Sequence, residues 1–135
     1  MIEPPKTEFA IALRVEIGPA VSLGETALGR QRFIPILGGS VEGPAIAGEV
    51  IPGGADWQTT RADGVTLVEA IYAIRTTDGA VINVRNRGLV APVEGGGRHV
   101  RTTPQFEAPR GPHDWLNRNT FVGTIDLAEG APPAV

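Results

Sequence analysis

"DWQTTRADGVTLVEAIYAIRTTDGAVINVRNRG" (Asp56–Gly88) contains two Asp-Gly dipeptides, Asp63-Gly64 and Asp78-Gly79, each set between strand-like runs. Asp-Gly is a favoured hairpin turn, because glycine adopts a positive φ freely and aspartate tolerates one. Three successive strands, Ala55–Arg61, Val65–Thr76 and Ala80–Asn86, therefore read as an antiparallel meander. With two residues in each turn, Asp56 faces Ile71, Trp57 faces Ala70 and Gln58 faces Glu69. Across the second turn Ile71 faces Asn86, Tyr72 faces Arg85 and Ile74 faces Asn83. Directly opposed residues share a face. One face then carries Asp56, Gln58, Leu67, Glu69, Ile71, Ile82, Val84 and Asn86, and the other Trp57, Val68, Tyr72, Ile74, Asn83 and Arg85. Neither is uniformly polar, as the wet side of a sheet over a dry core would be. A barrel with an occupied or hydrated lumen meets this pattern.

The flanks extend the same architecture. Phe9–Ile17 alternates strictly, with Phe9, Ile11, Leu13, Val15 and Ile17 on one side and Arg14 and Glu16 on the other. Arg30–Leu37 is strand-like but carries Pro35, which marks an edge or a bend. Ala45–Ile51, Arg98–Thr103 and Asn119–Ile125 are further strands, and Pro112–Asn117 can form one helical turn. Nothing shows a sustained helical period. The expected fold is all-β: a single small antiparallel barrel, calycin- or lipocalin-like, spanning residues 1–135.

Composition limits the function classes. At 135 residues, 41% hydrophobic and 20% charged, the chain suits one globular domain. A net charge of −3 and scattered basic residues argue against nucleic acid. The lack of cysteine removes disulfides, thiol nucleophiles and thiolate metal sites. "MIEPPKTEF" is not a signal peptide, and no apolar run approaches the ~20 residues of a membrane helix. A cytoplasmic location and no membrane contact are the expectations. The glycine runs at Gly38-Gly39 and Gly95–Gly97 lack the helix and the Gly-Lys-Ser/Thr ending of a phosphate loop.

Four blocks carry a resemblance: "GGSVEGPAIAGEVIPGGADW" (Gly38–Trp57), "TTDGAVINVRNRG" (Thr76–Gly88), "RTTPQFEAP" (Arg101–Pro109) and "WLNRNTFVG" (Trp115–Gly123). In this order the chain resembles the domain of unknown function 3237 family, also called uncharacterised protein family 0311. The resemblance implies a calycin-like antiparallel barrel with a central cavity, often in homo-oligomers, and brings no agreed activity. The chain departs from the family pattern at three places. The arginine that usually precedes the tyrosine matching Tyr72 is Ile71, and the aromatic two residues before the tryptophan matching Trp115 is His113. The family places a closing apolar strand after a segment like Glu129–Val135, where this sequence stops; a barrel without that strand would have an unpaired edge, expected to be covered in a homo-oligomer.

Candidate chemistry centres on Asp56. In the two-residue register Glu69 is its diagonal neighbour, ~7–8 Å away. A carboxyl in an apolar cavity without a cation has a raised pKa and exchanges protons near neutrality. The competing reading makes Asp56 a turn cap after Gly53-Gly54 and leaves Glu69 exposed. His113, beside Asp114 and Trp115, can shuttle protons or lie in a surface loop. Trp57, Tyr72, Phe106 and Trp115 can line a pocket or simply pack a core. Arg85, Arg101 and Arg118 can bind a ligand carboxylate or serve in ion pairs with Asp or Glu, and Asn83 is a further substrate-binding candidate. His99 sits in the exposed run "RHVR", and two unrelated histidines do not make a metal site.

The leading expectation is cofactor-independent acid/base chemistry on a small, largely apolar organic molecule: isomerisation, dehydration or cyclisation. Asp56, Glu69 and His113 are its catalytic candidates, with no metal and no cofactor. The alternatives are a non-catalytic binding or carrier protein for such a molecule, and an assembly module whose lumen is filled by side chains.

Overall fold

The computed structural model describes residues 1–126. It holds one antiparallel sheet built from β1 (Ala12–Ile17), β2 (Val21–Thr26), β3 (Gly29–Gly43), β4 (Ile46–Thr60), β5 (Thr66–Thr76), β6 (Val81–Pro92) and β7 (Arg98–Glu107). The path across the sheet is β1-β3-β4-β5-β6-β7, and β2 also pairs with β3. β1 takes the second half of β3 and β2 the first, so the two share one side of that strand. A single 3-10 turn, Asp114–Asn117, is the helical element among the described residues.

The sheet is an open half-barrel, which corrects the expectation of a closed calycin- or lipocalin-like barrel. The two edges of the curl stand 11 Å apart, more than twice the ~4.8 Å between paired strands. Ile11 from the β1 side and Trp115 and Phe121 from the other pack against the core. The expected strand Asn119–Ile125 is reduced to one bridge, Gly123 to Thr102 of β7. Hairpin signals are local, but closure depends on whether the outer strands meet, and no local pattern reports that. The expectation about a closing strand after Glu129 lies outside the described residues.

Both Asp-Gly dipeptides make hairpins, with one residue more than expected. The Arg61 amide donates to the Val65 carbonyl (2.9 Å) and the Gly64 amide to the Arg61 carbonyl (3.0 Å). Thr76, Gly79 and Ala80 repeat the pattern at the second turn. These are three-residue loops ending in a glycine at positive φ, Gly64 at 88° and Gly79 at 91°. The extra residue shifts the register by one. Asp56 pairs with Ala70, Trp57 with Glu69 and Gln58 with Val68, while Ile71 pairs with Arg85 and Tyr72 with Val84. A one-residue slip reassigns which side chains share a face.

The expected strands Ala45–Ile51 and Ala55–Arg61 are one strand, β4, bent at Pro52–Gly54. Ile51 pairs with Ala73 and Ala55 with Ile71, so three β4 residues oppose one of β5. Two extra residues bend the sheet without reversing its alternation. Ile46, Val50, Asp56 and Gln58 therefore all face the concave side. β3 passes through Pro35 and changes register between Pro35 and Ser40, beside the β4 bend. Strand β2, with its exposed apolar residues Val21 and Leu23, had no counterpart in the sequence reading.

The core fills one end of the concave face. Leu13, Val41, Ile46, Ile74, Ile82, Val84 and Phe106 meet there, capped by Leu116 of the 3-10 turn, 2% exposed. The other end is hollow.

Candidate functional site

The observed register arranges the concave face in rows across the strands. Tyr72, Val84 and Phe106 form the last row of the packed end. The next row is Ile34, Asp56, Ala70, Asn86 and Pro104. Beyond it come Arg32, Gln58, Val68, Gly88 and Thr102, and then Arg30, Thr60, Thr66, Val90 and Val100. Beyond the Tyr72 row the side chains no longer meet across the concave face, and a hollow of about 280 Å³ opens there. Its walls are mostly aliphatic, including Val15, Ile34, Val68, Ala70, Val90 and Val100. That volume is at the small end of ligand pockets, which run ~300–1,000 Å³.

Three polar groups on the floor lack hydrogen-bond partners among the described residues: Asp56 Oδ1, the Tyr72 hydroxyl and Asn86 Oδ1. Tyr72 and Asn86 are each 4% exposed. Buried polar groups are paired in the great majority of cases, so three orphans in one hollow mark a place built to meet polar atoms from outside. The other carboxylate oxygen of Asp56 accepts from Gln58 Nε2 at 2.9 Å, and Gln58 Oε1 accepts from Arg32 Nε at 2.8 Å. Burial raises the Asp56 pKa above its ordinary 3.8, against the Gln58 hydrogen bond and the more distant charge of Arg32. Burial, and then the charge of Asp56, raise the Tyr72 pKa, which keeps the phenol a neutral donor. Asp56 and Tyr72 thus place a carboxyl and a phenol on the floor of an apolar hollow.

The other candidates are dispersed. Glu69 is not the same-face neighbour of Asp56. It lies on the convex face opposite Trp57, within ion-pair distance of Arg85 (3.7 Å) and Arg87 (3.5 Å). Trp57 is 47% exposed and stacks on Phe33, with ring centroids 4.7 Å apart. Asn83 donates to Glu107 across the β6–β7 pair, and Arg101 donates to the Val100 carbonyl. Phe106 belongs to the core and Trp115 packs beside Phe121.

His113 is buried at the packed end, where its Nε2 meets both carboxylate oxygens of Asp78 at 2.9 and 3.0 Å. Thr76 hydrogen-bonds the same carboxylate, and with His113 holds the Asp78 pKa below its ordinary value. His113 therefore ties the 3-10 turn to the β5–β6 hairpin. Asp78 lies beyond Thr76, six strand residues or ~20 Å from the Ala70 row, so His113 is no partner for Asp56. Ile71 faces outward, so an arginine there would not neutralise Asp56. Arg32 supplies the nearby cation from β3 instead.

Gln58, Asn86, Arg32 and Arg98 line the hollow and were not among the sequence candidates. Asn86 falls in the Asp56 row in the two-residue and the three-residue register alike, so its place beside Asp56 was legible without the correct turn. Among the described residues no three or more His, Cys, Asp or Glu side chains form a metal-binding group. No helix among them is long and apolar enough to cross a membrane.

The family model described as "Protein of unknown function (DUF3237)" matches residues 5–131. The chain belongs to this family. A UPF0311 protein of Rhodopseudomonas palustris strain TIE-1 is 36% identical over 132 residues, covering 88% of this chain and 86% of the relative. The crystal structure of a conserved protein of unknown function from Rhodopseudomonas palustris superposes with a TM-score of 0.87 at 35% identity, covering 98% of this chain and 95% of that one. A relative from Penicillium herquei, the hydroalkoxylation enzyme phnH, is 31% identical over 121 residues, covering 90% of this chain and 74% of the relative. DUF3237 membership thus joins the half-barrel to relatives without an assigned activity and to one named as an enzyme.

Proposed function

We propose that the hollow of this DUF3237 protein binds a small, largely apolar organic molecule bearing a hydroxyl or carbonyl group. The observation that carries the reading is the set of three polar atoms without partners among the described residues, Asp56 Oδ1, the Tyr72 hydroxyl and Asn86 Oδ1, on the floor of an aliphatic hollow. The apolar wall supplies the driving force for uptake, and the floor fixes orientation. Calorimetric titration with para-cresol tests this. The native protein should bind it, and Tyr72→Phe and Asp56→Asn should each weaken binding about tenfold, in line with ~1.5 kcal/mol for a hydrogen bond to a buried polar group. Equal affinity in all three proteins would refute the reading.

A catalytic reading has a specific observation of its own. Burial favours the protonated form of Asp56, beside a phenol that stays neutral. A hydroalkoxylation, the reaction in the name of the Penicillium herquei relative, adds an alcohol O–H across a carbon–carbon double bond. In this hollow the Asp56 carboxylic acid would give its proton to one alkene carbon. The alcohol oxygen would bond to the other carbon, and its proton would return to the carboxylate. Such a step needs no oxidant and no second substrate when hydroxyl and alkene sit in one molecule. Asp56→Asn should then lower turnover of an alkenyl phenol by ~10²–10⁴-fold. Unchanged turnover in that variant would leave binding alone as the function.

A further inference from the structure

The hollow has a second polar zone, at its mouth. Arg32 and Arg98 line both the hollow and the groove into which it opens at the β4–β5 end of the sheet. The protein carries a net charge of −3, and five of its eleven arginines are held in ion pairs elsewhere. Arg61 pairs with Asp63, Arg75 with Glu49, Arg85 and Arg87 with Glu69, and Arg118 with Asp114. Arg32 and Arg98 make no ion pair among the described residues. Arg32 spends its Nε on the neutral Gln58 amide, which leaves the rest of its guanidinium fork for another acceptor. Arg98 makes no side-chain hydrogen bond among the described residues. Two cations converging on the exit of an aliphatic hollow, in an acidic protein, form a zone that selects a charge.

We infer that the ligand carries a carboxylate, held at the mouth of the hollow by Arg32 and Arg98, opposite the group that meets Asp56, Tyr72 and Asn86. The inference rests on the reading of the hollow as a small-molecule site and adds the ligand's class: a hydroxy or oxo acid with an apolar middle. The strand spacing sets its size. Arg32 and Gln58 stand two residues from the Asp56 row, Thr66 and Val90 four and Arg98 six, so the mouth begins ~7 Å from the floor and its far rim lies ~20 Å from it along the strands. A planar guanidinium fork matches a carboxylate in a bidentate pair, which adds direction as well as charge. Binding there also acts on the floor. A carboxylate on Arg32 cancels the positive charge that Asp56 feels, favours the protonated acid and leaves it a donor.

The test titrates the full chain with para-hydroxyphenylpropanoate, its methyl ester and para-cresol. The native protein should bind the acid at least tenfold more tightly than the ester, with an advantage that shrinks as salt is added. Arg98→Gln should remove most of that preference while leaving the affinity for the ester unchanged. Arg32→Gln should also lower the acid-to-ester affinity ratio, the ratio being the readout because Arg32 bonds Gln58 and so bears on ester binding too. Equal binding of acid and ester by the native protein, with cresol still bound, overturns the carboxylate inference and leaves the hollow a site for neutral molecules. A preference that survives both arginine substitutions overturns the assignment to Arg32 and Arg98. Failure of all three compounds to bind overturns the reading of the hollow, and this inference with it.

Discussion

The two ends of the concave face are made by the same strands and differ in what those strands present. At the packed end β5 and β6 offer Ile74, Ile82 and Val84, and Leu13, Val41, Ile46, Phe106 and Leu116 fill the space between them. The His113–Asp78–Thr76 hydrogen bonds hold the 3-10 turn over that core. One row further on, the same strands offer Ala70 and Asn86, and β4 offers Asp56. There the side chains are small or polar, and the floor oxygens lack partners among the described residues. A half-barrel can therefore divide its labour along the strand axis. Apolar burial at one end stabilises the fold, and unsatisfied polar groups at the other are tolerated because that stability exists.

Substitutions at each end should behave differently. The largest effect is expected at the plug. Leu116→Ala should lower stability by ~2–5 kcal/mol, the range for a buried leucine, measured by urea denaturation. A loss below ~1 kcal/mol would mean that the 3-10 turn rests on the core without supporting it. Next is Gly88, on the concave face between Val68 and Thr102, where an added side chain would meet the Arg101 carbonyl and the Thr102 backbone. Gly88→Val should cost ~1–3 kcal/mol through overpacking, visible as a lower melting temperature. A neutral result would show that β7 can move away and that the curl is soft at the hollow end.

Trp57 tests the boundary of the core from outside. A tryptophan in the barrel wall would lose ~3–5 kcal/mol on truncation to alanine. The ring is half-exposed on the convex face and rests on Phe33, so Trp57→Ala should cost only ~1 kcal/mol.

The smallest effect should have the opposite sign. The folded-state pKa of Asp56 lies above the ordinary 3.8. Its contribution to stability is thus fully present below pH 3.8 and is lost as pH rises through the folded-state value. Asparagine does not titrate. Asp56→Asn should match the native protein at pH 3 and melt at a higher temperature at pH 8. A variant less stable than the native protein at pH 8 would show that the charged carboxylate supports the fold.

The strands and turns were legible in the sequence, but not the division of the concave face into a packed and a hollow end. The Asp-Gly turns at Gly64 and Gly79, the meander around them and the scarcity of helix follow from local patterns. The inward position of Asp56 was also expected, although from a register one residue out of step. That slip arose because Asp-Gly serves both two- and three-residue loops, and only tertiary pairing chooses between them. It put Glu69 beside Asp56 and removed Val68 and Tyr72 from the Asp56 face. β2 escaped notice because "VSLGET" is short, glycine-interrupted and held only by its pairing with β3. The open curl depends on an 11 Å separation between distant strands. Arg32 and Arg98 lie far apart in sequence and converge only because β3 and β7 curl toward each other.

The most direct test of the central claim fills the hollow. Ala70 sits between Asp56 and Asn86 in the floor row, and Ala70→Phe would place a ring where a ligand should lie. Methyl and amide NMR spectra of the native protein with para-cresol should show shifts at Val68, Tyr72 and Val100. The Ala70→Phe protein, with its strand signals retained, should show none. Equal shifts in both proteins, or shifts confined to the convex face around Trp57, would contradict the account.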